Sequence, residues 1–362
     1  MRSLLAALAA ATALVACGGV GAPRSIPSTT TPTGAAAVAS PTQPINVDDM
    51  MGFYPQQTVF VADATGVSAV TLLNHFTRYT IPTRGKAQVA VEVSAGSGSW
   101  FYVLDGSETG PLRLRTFDIE MGVERASRSD IGIVASTQRA VAITNDGRVL
   151  VLKSDARHAW VDAYERLTLK PLGTVMEKPG CGDRLLATQA RVAIVCLATG
   201  EIAVDALRGF GTTLVDGSMP RLAGAAMAQD GTIWAATADR QLAAVPAGAV
   251  SARRLAWPLA WTGTVLQDGI ALATGADSLV VAQTDTDGSW LRVLATSVVA
   301  PRQSLRLAGR LSGLPQFGIL ALYPFAYFTS GGSVRHVEIQ SGMLETMTEL
   351  VQGATIVAVV DR

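Results

Sequence analysis

The chain has 362 residues with 29 basic and 29 acidic side chains, so its formal charge at pH 7 is zero; charged residues make up 16% and hydrophobic ones 49%. That balance argues against nucleic acid, or a strongly acidic partner, as the main ligand.

The first residues, Met1-Arg2-Ser3-Leu4-Leu5, lead into an Ala/Leu run that reaches Val15 and Ala16. A short positive start followed by so few apolar residues cannot span a bilayer, which takes roughly 20, and has the form of a signal-peptide core. The stretch Leu14-Val15-Ala16-Cys17-Gly18 resembles the lipobox of bacterial lipoproteins, in which small residues precede an obligatory cysteine. The resemblance implies cleavage before Cys17, diacylation of its thiol, and an extracytoplasmic protein held by lipid on a cell or outer membrane. One acyl chain anchors only marginally, whereas two or three, at about 0.8 kcal/mol per buried CH₂, make attachment stable. A free cysteine after an ordinary signal peptide is the alternative.

From Gly18 to about Pro44 the chain is mainly Pro, Ser, Thr, Ala and Gly, with Arg24 its one charge. It buries too little apolar surface to offset the entropy of ordering it, and so reads as a tether. At about 5–6 Å × √n it reaches on the order of 30 Å. The expected organisation is a signal peptide over 1–16, a lipidated cysteine and linker over 17–45, and a folded body over 46–362. No later apolar run is long enough to cross a membrane as a helix; the closest, Phe317 to Phe328, is interrupted by Pro324.

Within the body no long stretch places apolar residues at i, i+3, i+4 and i+7, so no helix is expected. What recurs is a short β-rich run, a tight turn and another run. Turn-forming groups stand at Gly96-Ser97-Gly98, Asn145-Asp146-Gly147, Thr188-Gln189, Asp230-Gly231, Asp268-Gly269 and Ser312-Gly313. Their spacing centres in the low forties, that of a four-stranded propeller blade at about 40–45 residues. After each turn comes comparable text: Trp100 to Leu104, Arg148 to Leu152, Arg191 to Cys196, Thr232 to Ala236, Ile270 to Thr274 and Phe317 to Leu322. A third strand is expected at Leu112 to Ile119, Trp160 to Tyr164, Glu201 to Ala206, Gln241 to Val245, Ser278 to Gln283 and Val334 to Ile339. The runs are near-continuously apolar, as suits strands covered on both faces.

Six blades fit between about Ala87 and Leu350. Thr58 to Pro82 supplies two or three further strands and Thr355 to Val360 one more; joined, they complete a seventh blade and close the ring, which removes exposed sheet edges. The expected fold is therefore an all-β, seven-bladed propeller of four-stranded sheets, closed by pairing of N- and C-terminal strands. Rings of six or eight blades, a β-sandwich and a β-solenoid are the alternatives.

Cys181 and Cys196 are the other two cysteines, and in an exported chain such a pair reads as a disulfide. Asp183 to Ala187 and Arg191 to Val195 read as a hairpin. With Thr188 and Gln189 as its loop, the two cysteines fall opposite each other, at a Cα separation of about 5.5 Å that suits a disulfide.

Phrases such as Phe117-Asp118-Ile119-Glu120-Met121-Gly122, Asp230-Gly231-Thr232-Ile233-Trp234 and Val337-Glu338-Ile339-Gln340-Ser341-Gly342 resemble the strand-and-turn phrases of quinoprotein-like and WD-repeat-like bacterial propellers. The resemblance covers roughly 57–362 and implies fold, which does not fix function.

Chemistry is harder to find. There is no G-x-S-x-G, S-x-x-K or H-E-x-x-H, and no calcium loop, so no catalytic residue, cofactor or metal site is expected. His75, His158 and His336 fall in different blades and read as strand positions rather than as a site. Thr284-Asp285-Thr286-Asp287-Gly288-Ser289-Trp290 partly resembles a sialidase Asp-box, but Asp287 and Gly288 adjoin where that motif has a spacer; a polar hairpin turn before a packed tryptophan is the better reading. Asp48-Asp49 reads as a solvated start to the body. The candidates for a binding surface are aromatic: Trp257 and Trp261 between blades, and Tyr323 and Phe325 in the densest aromatic stretch. The plainer reading, and the favoured one, is that both sets fill inter-blade core. The expectation is a membrane-held binding or scaffold module for a protein or glycan partner. The alternatives are a lactonase-, quinoprotein- or glycan-cleaving-type enzyme with a site in the central channel, and an accessory subunit of a cell-envelope complex.

Overall fold

The computed structural model describes residues 58–360 except 72–75, 86, 93–99, 107–109, 133–138, 145, 156, 189–190, 207–211, 218, 238, 259–264, 275–277, 286–287, 298, 307–319, 323–324, 331–332, 339–343 and 350–354. The described residues all belong to one compact unit, Asn46–Arg362. The Cys17 expectation, like Trp261 and Tyr323, lies outside them.

Seven four-stranded antiparallel sheets make up the body. Blade 1 takes three strands from the beginning of the chain, β1 (Thr58–Ala62), β2 (Gly66–Thr71) and β3 (Thr77–Pro82), and its remaining strand, β28 (Thr355–Val360), from the end. Blade 2 holds β4 (Gln88–Glu92), β5 (Trp100–Asp105), β6 (Arg113–Asp118) and β7 (Glu124–Arg128). Blade 3 holds β8 (Arg139–Ile143), β9 (Arg148–Ser154), β10 (His158–Glu165) and β11 (Pro171–Pro179). Blade 4 holds β12 (Arg184–Ala187), β13 (Arg191–Val195), β14 (Ile202–Ala206) and β15 (Thr212–Leu214). In blade 5 are β16 (Gly224–Met227), β17 (Ile233–Ala236), β18 (Leu242–Val245) and β19 (Arg253–Leu255). Blade 6 has β20 (Val265–Thr274), β21 (Ser278–Asp285), β22 (Gly288–Ala295) and β23 (Ala300–Arg306), and blade 7 has β24 (Leu320–Leu322), β25 (Phe325–Ser330), β26 (Ser333–Glu338) and β27 (Leu344–Glu349). The strands β4, β8, β12, β16, β20, β24 and β28 touch in that order, and β28 touches β4, so the ring is closed. The fold is a seven-bladed β-propeller, and its closure by β28 on β1 is the one expected from the two leftover ends of the sequence.

No blade has a core of its own. Each apolar cluster joins two successive sheets: Phe60, Ile81, Phe101, Val103 and Phe117 between blades 1 and 2, and Leu150, Leu152, Val161, Met176 and Ile194 between blades 3 and 4. Second strands are therefore covered on both faces, and β1 and β13 are buried at every position, which is why their sequences run apolar without alternating. Between blades 5 and 6 the packing uses Ala223, Ala226, Ala236 and Ala244 around Trp234, small side chains that let the sheets close up on one large ring. Fourth strands differ. In β3, β7 and β11 most residues are exposed or half-buried, and the pairing of third with fourth strand slips at a bulge in blades 1, 2, 3, 6 and 7. Such bulges twist an edge away from further pairing.

The strand boundaries in blades 2 to 5, and the third strand of blade 7 at Ser333–Glu338, follow the sequence reading, but those of blade 6 and the first two strands of blade 7 correct it. Asp268-Gly269 is not a turn: it lies inside β20, where the pairing with β21 jumps from Val265 to Ile270. Ile270 to Thr274 is thus in the first strand of blade 6 and Ser278 to Gln283 in the second. In blade 7, Leu320–Leu322 is the first strand and Phe325–Ser330 the second, a strand that the turn spacing skipped. Gly96-Ser97-Gly98 and Ser312-Gly313 lie outside the described residues. Asp285 pairs with Gly288 across the β21–β22 turn, which makes the Asp-box-like phrase a tight hairpin.

Candidate functional site

The seven first strands surround the ring axis, so their sequences decide what chemistry the channel can hold. Their middles are mostly Ala, Val, Leu, Ile and Gly, as in Val89-Ala90-Val91, Ala140-Val141-Ala142-Ile143, Leu185-Leu186-Ala187, Gly224-Ala225-Ala226, Leu320-Ala321-Leu322 and Ile356-Val357-Ala358-Val359, while polar residues such as Gln88, Arg139, Arg184, Gln267 and Thr355 stand nearer their ends. No histidine stands on any of them, and their acids are Glu92 and Asp268. Glu92 is committed to a lock between blades 2 and 3, where its carboxylate accepts from the Tyr102 hydroxyl at 2.9 Å and from Arg166 Nη1 at 2.9 Å. Burial, with the Glu92 charge beside it, pushes the Tyr102 phenol far above its ordinary range, so Tyr102 stays a donor. Arg184 opens β12; burial lowers its guanidinium and the Asp183 charge acts against that.

The described histidines do not meet. His158 stands at the start of β10, edge-on to Trp160 at 5.6 Å and with Nε2 3.8 Å from Glu177. His336 is buried on β26, against the Tyr327 ring at 6.0 Å. Both are on third strands, away from the axis. His75 lies outside the described residues.

Further structural locks stand at the other end of the ring from Glu92, where second strands finish and third strands begin. The fully buried Asp105 accepts from Arg113 Nη2 at 2.7 Å, from Arg115 Nη2 at 3.3 Å and from the Arg84 amide at 2.9 Å. Burial works to raise the Asp105 carboxyl, but these donors hold it below the usual carboxylate range. Lys178, equally buried, donates to Glu201 at 2.7 Å and to the Pro179 and Cys181 carbonyls at 3.0 and 3.2 Å. Cys181 and Cys196 are joined as a disulfide with Cα atoms 5.5 Å apart. The hairpin register that suggested the bond is corrected: Arg184 pairs with Val195, two residues from the expected Ala193, so Cys181 lies before β12 in the connection from blade 3 and ties that connection to the turn after β13. Asp183 also lies within 4.8 Å of both sulfurs, but its Oδ2 accepts from the Leu197 amide at 2.6 Å and the sulfurs are spent on each other.

Of the aromatic candidates, Trp257 is half-buried and packs against the apolar cluster between blades 5 and 6. Phe325 opens β25, with its side chain outside what the structure describes. The two do not share a surface. Trp257 follows β19, at the end where fourth strands finish, whereas β25 starts at the opposite end, where first strands finish.

The opposite end carries a feature that the sequence reading missed. Most of the exposed large apolar side chains among the described residues, Phe76, Met121, Val123, Leu167 and Leu172, sit in or beside the third-to-fourth-strand turns of blades 1, 2 and 3. Their signal was a large apolar residue inside an otherwise polar turn, as in Asp118-Ile119-Glu120-Met121-Gly122. Gly122 adopts φ +65, and a Cβ there would stand 2.6 Å from the Tyr79 ring, so this turn needs glycine to close on blade 1.

No family model matches the sequence, and no curated protein matches it. Among solved structures, the chain is similar to the computationally designed Ika8 protein, at 14% identity and a TM-score of 0.51, covering 84% of this chain and 90% of that one. It is also similar to AztD from Citrobacter koseri, at 12% identity and a TM-score of 0.49 over 85% and 98% of the two chains, and to BamB from Moraxella catarrhalis, at 14% and 0.43 over 81% and 89%. At these identities the likeness is one of fold, and the assignment as a propeller rests on the strand order and the closed ring described above.

Proposed function

We propose that this chain is a lipid-anchored, extracytoplasmic propeller that serves as a binding scaffold for a protein or glycan partner rather than as an enzyme. The observation that carries the reading is the composition of the first strands: the axis is walled by small and aliphatic residues, and the one described acid on it with a placed side chain, Glu92, is already bonded to Tyr102 and Arg166. Catalysis in a channel needs acids, bases or nucleophiles free to meet a substrate. The anchor part of the reading rests on the lipobox at Cys17, and the Cys181–Cys196 disulfide fits an oxidising compartment outside the cytoplasm.

The test is purification of the intact protein from its own membrane, with mass spectrometry of whatever accompanies it and of the Cys17 peptide. A stoichiometric partner and an acylated Cys17 are expected. Failure to recover a partner, together with hydrolysis of a lactone or glycoside panel by the purified body, overturns the scaffold reading.

A further inference from the structure

Thr58, the first described residue, opens β1 opposite both Thr71 and Val360, at the end of the ring where β2 finishes and Phe76 follows. This is the end that carries the exposed apolar turns. Phe76 is 59% exposed, Met121 58% and Leu172 52%. The turns form one arc, because each is bonded to the blade before it. Tyr79 donates its hydroxyl to the Ile119 carbonyl at 2.6 Å and Arg78 donates to the Glu120 carbonyl at 3.0 Å, which ties the blade 2 turn to blade 1. Arg166, in the blade 3 turn, reaches Glu92 of blade 2. The tips are also held from within: Asp118 Oδ1 accepts from the Glu120 and Met121 amides, and Glu165 Oε2 from those of Leu167 and Thr168. Met121 and Leu167 are therefore presented to solvent on fixed backbone, with little ordering left to do on binding.

We propose that this arc rests on a lipid bilayer, with its apolar tips in the boundary between headgroups and acyl chains. The proposal rests on the anchor reading above. If Cys17 carries lipid, the lipid lies N-terminal to Thr58, whose own position is on the same end of the ring as the arc. A linker of that length, at about 5–6 Å × √n, keeps the arc within tens of ångströms of the surface, where its effective concentration is on the order of millimolar. A handful of apolar side chains that would hold a free protein weakly is enough for one already tethered. The flanking charges, Arg78, Glu120, Arg125, Glu165 and Lys170, are of both signs, so the arc suits the bilayer interface itself rather than an anionic headgroup, and its binding changes little with salt.

The unit from Asn46 to Arg362 holds every described strand and closes its own ring, so it can be tested without the lipid. The body, carrying an N-terminal histidine tag, is held on phosphatidylcholine vesicles that contain a nickel-chelating lipid, and amide exchange is compared before and after release by imidazole. Exchange in the turns at 118–124 and 165–171 is expected to slow severalfold on the vesicles, with no change at 62–66 and 237–241 on the opposite end. The double variant Met121→Ser, Leu167→Ser, with an unchanged melting temperature, is expected to lose that protection. Equal exchange with and without the vesicles, or protection at the opposite end, overturns the proposal. So does a protein that the parent chain retains from native membranes and the double variant loses while vesicles have no effect, because the arc then belongs to that protein. An unacylated native Cys17 found together with vesicle protection removes the anchor and leaves the lipid affinity of the arc standing.

Discussion

At one end of the ring the turns are stitched down by charge and by a covalent bond, at Asp105 with its two arginines, at Lys178 with Glu201 and at Cys181 with Cys196. At the other end the turns are just as well held by backbone bonds to Asp118 and Glu165, yet they hold out Phe76, Met121 and Leu167 to solvent. Order at both ends, with most of the exposed large apolar side chains among the described residues at one and Leu214 at the other, indicates that the exposed side chains are not a by-product of loose loops. A well-built turn that keeps a large apolar residue in water leaves a free-energy gain for whatever covers it.

Both ends depend on closure of the ring, so the largest effect comes from breaking it. Deleting residues 355–362 removes β28, takes from β1 one of its two partner strands and leaves β4 and β24 each short of one neighbour. Loss of the cooperative thermal transition is the expected result, read by circular dichroism. Next comes Asp105→Asn, which leaves Arg113 and Arg115 facing a neutral group in a buried site. A loss of about 3–5 kcal/mol is expected from urea midpoints. The same residue sets a pH dependence. Its carboxyl is held low in the fold, so its stabilisation is present above the unfolded value near about pH 4 and is lost as pH falls through the folded value. The Asn variant is therefore expected to show a shallower loss of stability in acid than the parent, by the same midpoints measured across pH.

Replacing Cys181 and Cys196 together by serine opens a loop spanning 15 residues and is expected to cost about 3 kcal/mol, measured on the variant against the oxidised parent. The smallest effect belongs to the apolar end. Leu172→Ser is expected to leave stability within about 0.5 kcal/mol, because a side chain 52% exposed has little burial to lose. A large destabilisation there would mean that the arc is part of the core and would erase the contrast between the two ends.

Much of the architecture was legible because a propeller repeats one solution. Near-continuous apolar runs such as Val149 to Leu152 and Val192 to Val195 marked second strands buried between neighbours, and the unmatched ends at Thr58 and Thr355 announced the shared blade. The reading failed where a turn signal was not a turn. Asp268-Gly269 has the residues of a tight hairpin, but tertiary pairing absorbs it into β20 as an irregularity. Periodicity then misnumbered Ile270 to Thr274, Ser278 to Gln283 and Phe317 to Leu322, and recovered with the third strand of blade 7. The disulfide was found through a register two residues out, because two cysteines close in sequence and flanking a hairpin meet under more than one register.

The candidate site was far less legible. Aromatic density singled out Trp257, which is half-buried in a core, and passed over Met121 and Leu167, whose exposure is set by how the blade twists rather than by their type. The locks at Glu92–Tyr102–Arg166 and Asp105–Arg113–Arg115 join residues 74 and 10 or fewer positions apart, and no local pattern marks which charges will be buried together.

The blade that β28 completes also sets a timetable. A polypeptide made from its N-terminus presents β1, β2 and β3 first, but the sheet they begin lacks a side until β28 follows. Blades 2 to 7 can assemble on one another in the meantime, while the circle stays open. Synthesis and the last folding step are thereby coupled: the ring closes only once β28 has been made, and a chain that stops short of it carries an unfilled gap in its first blade.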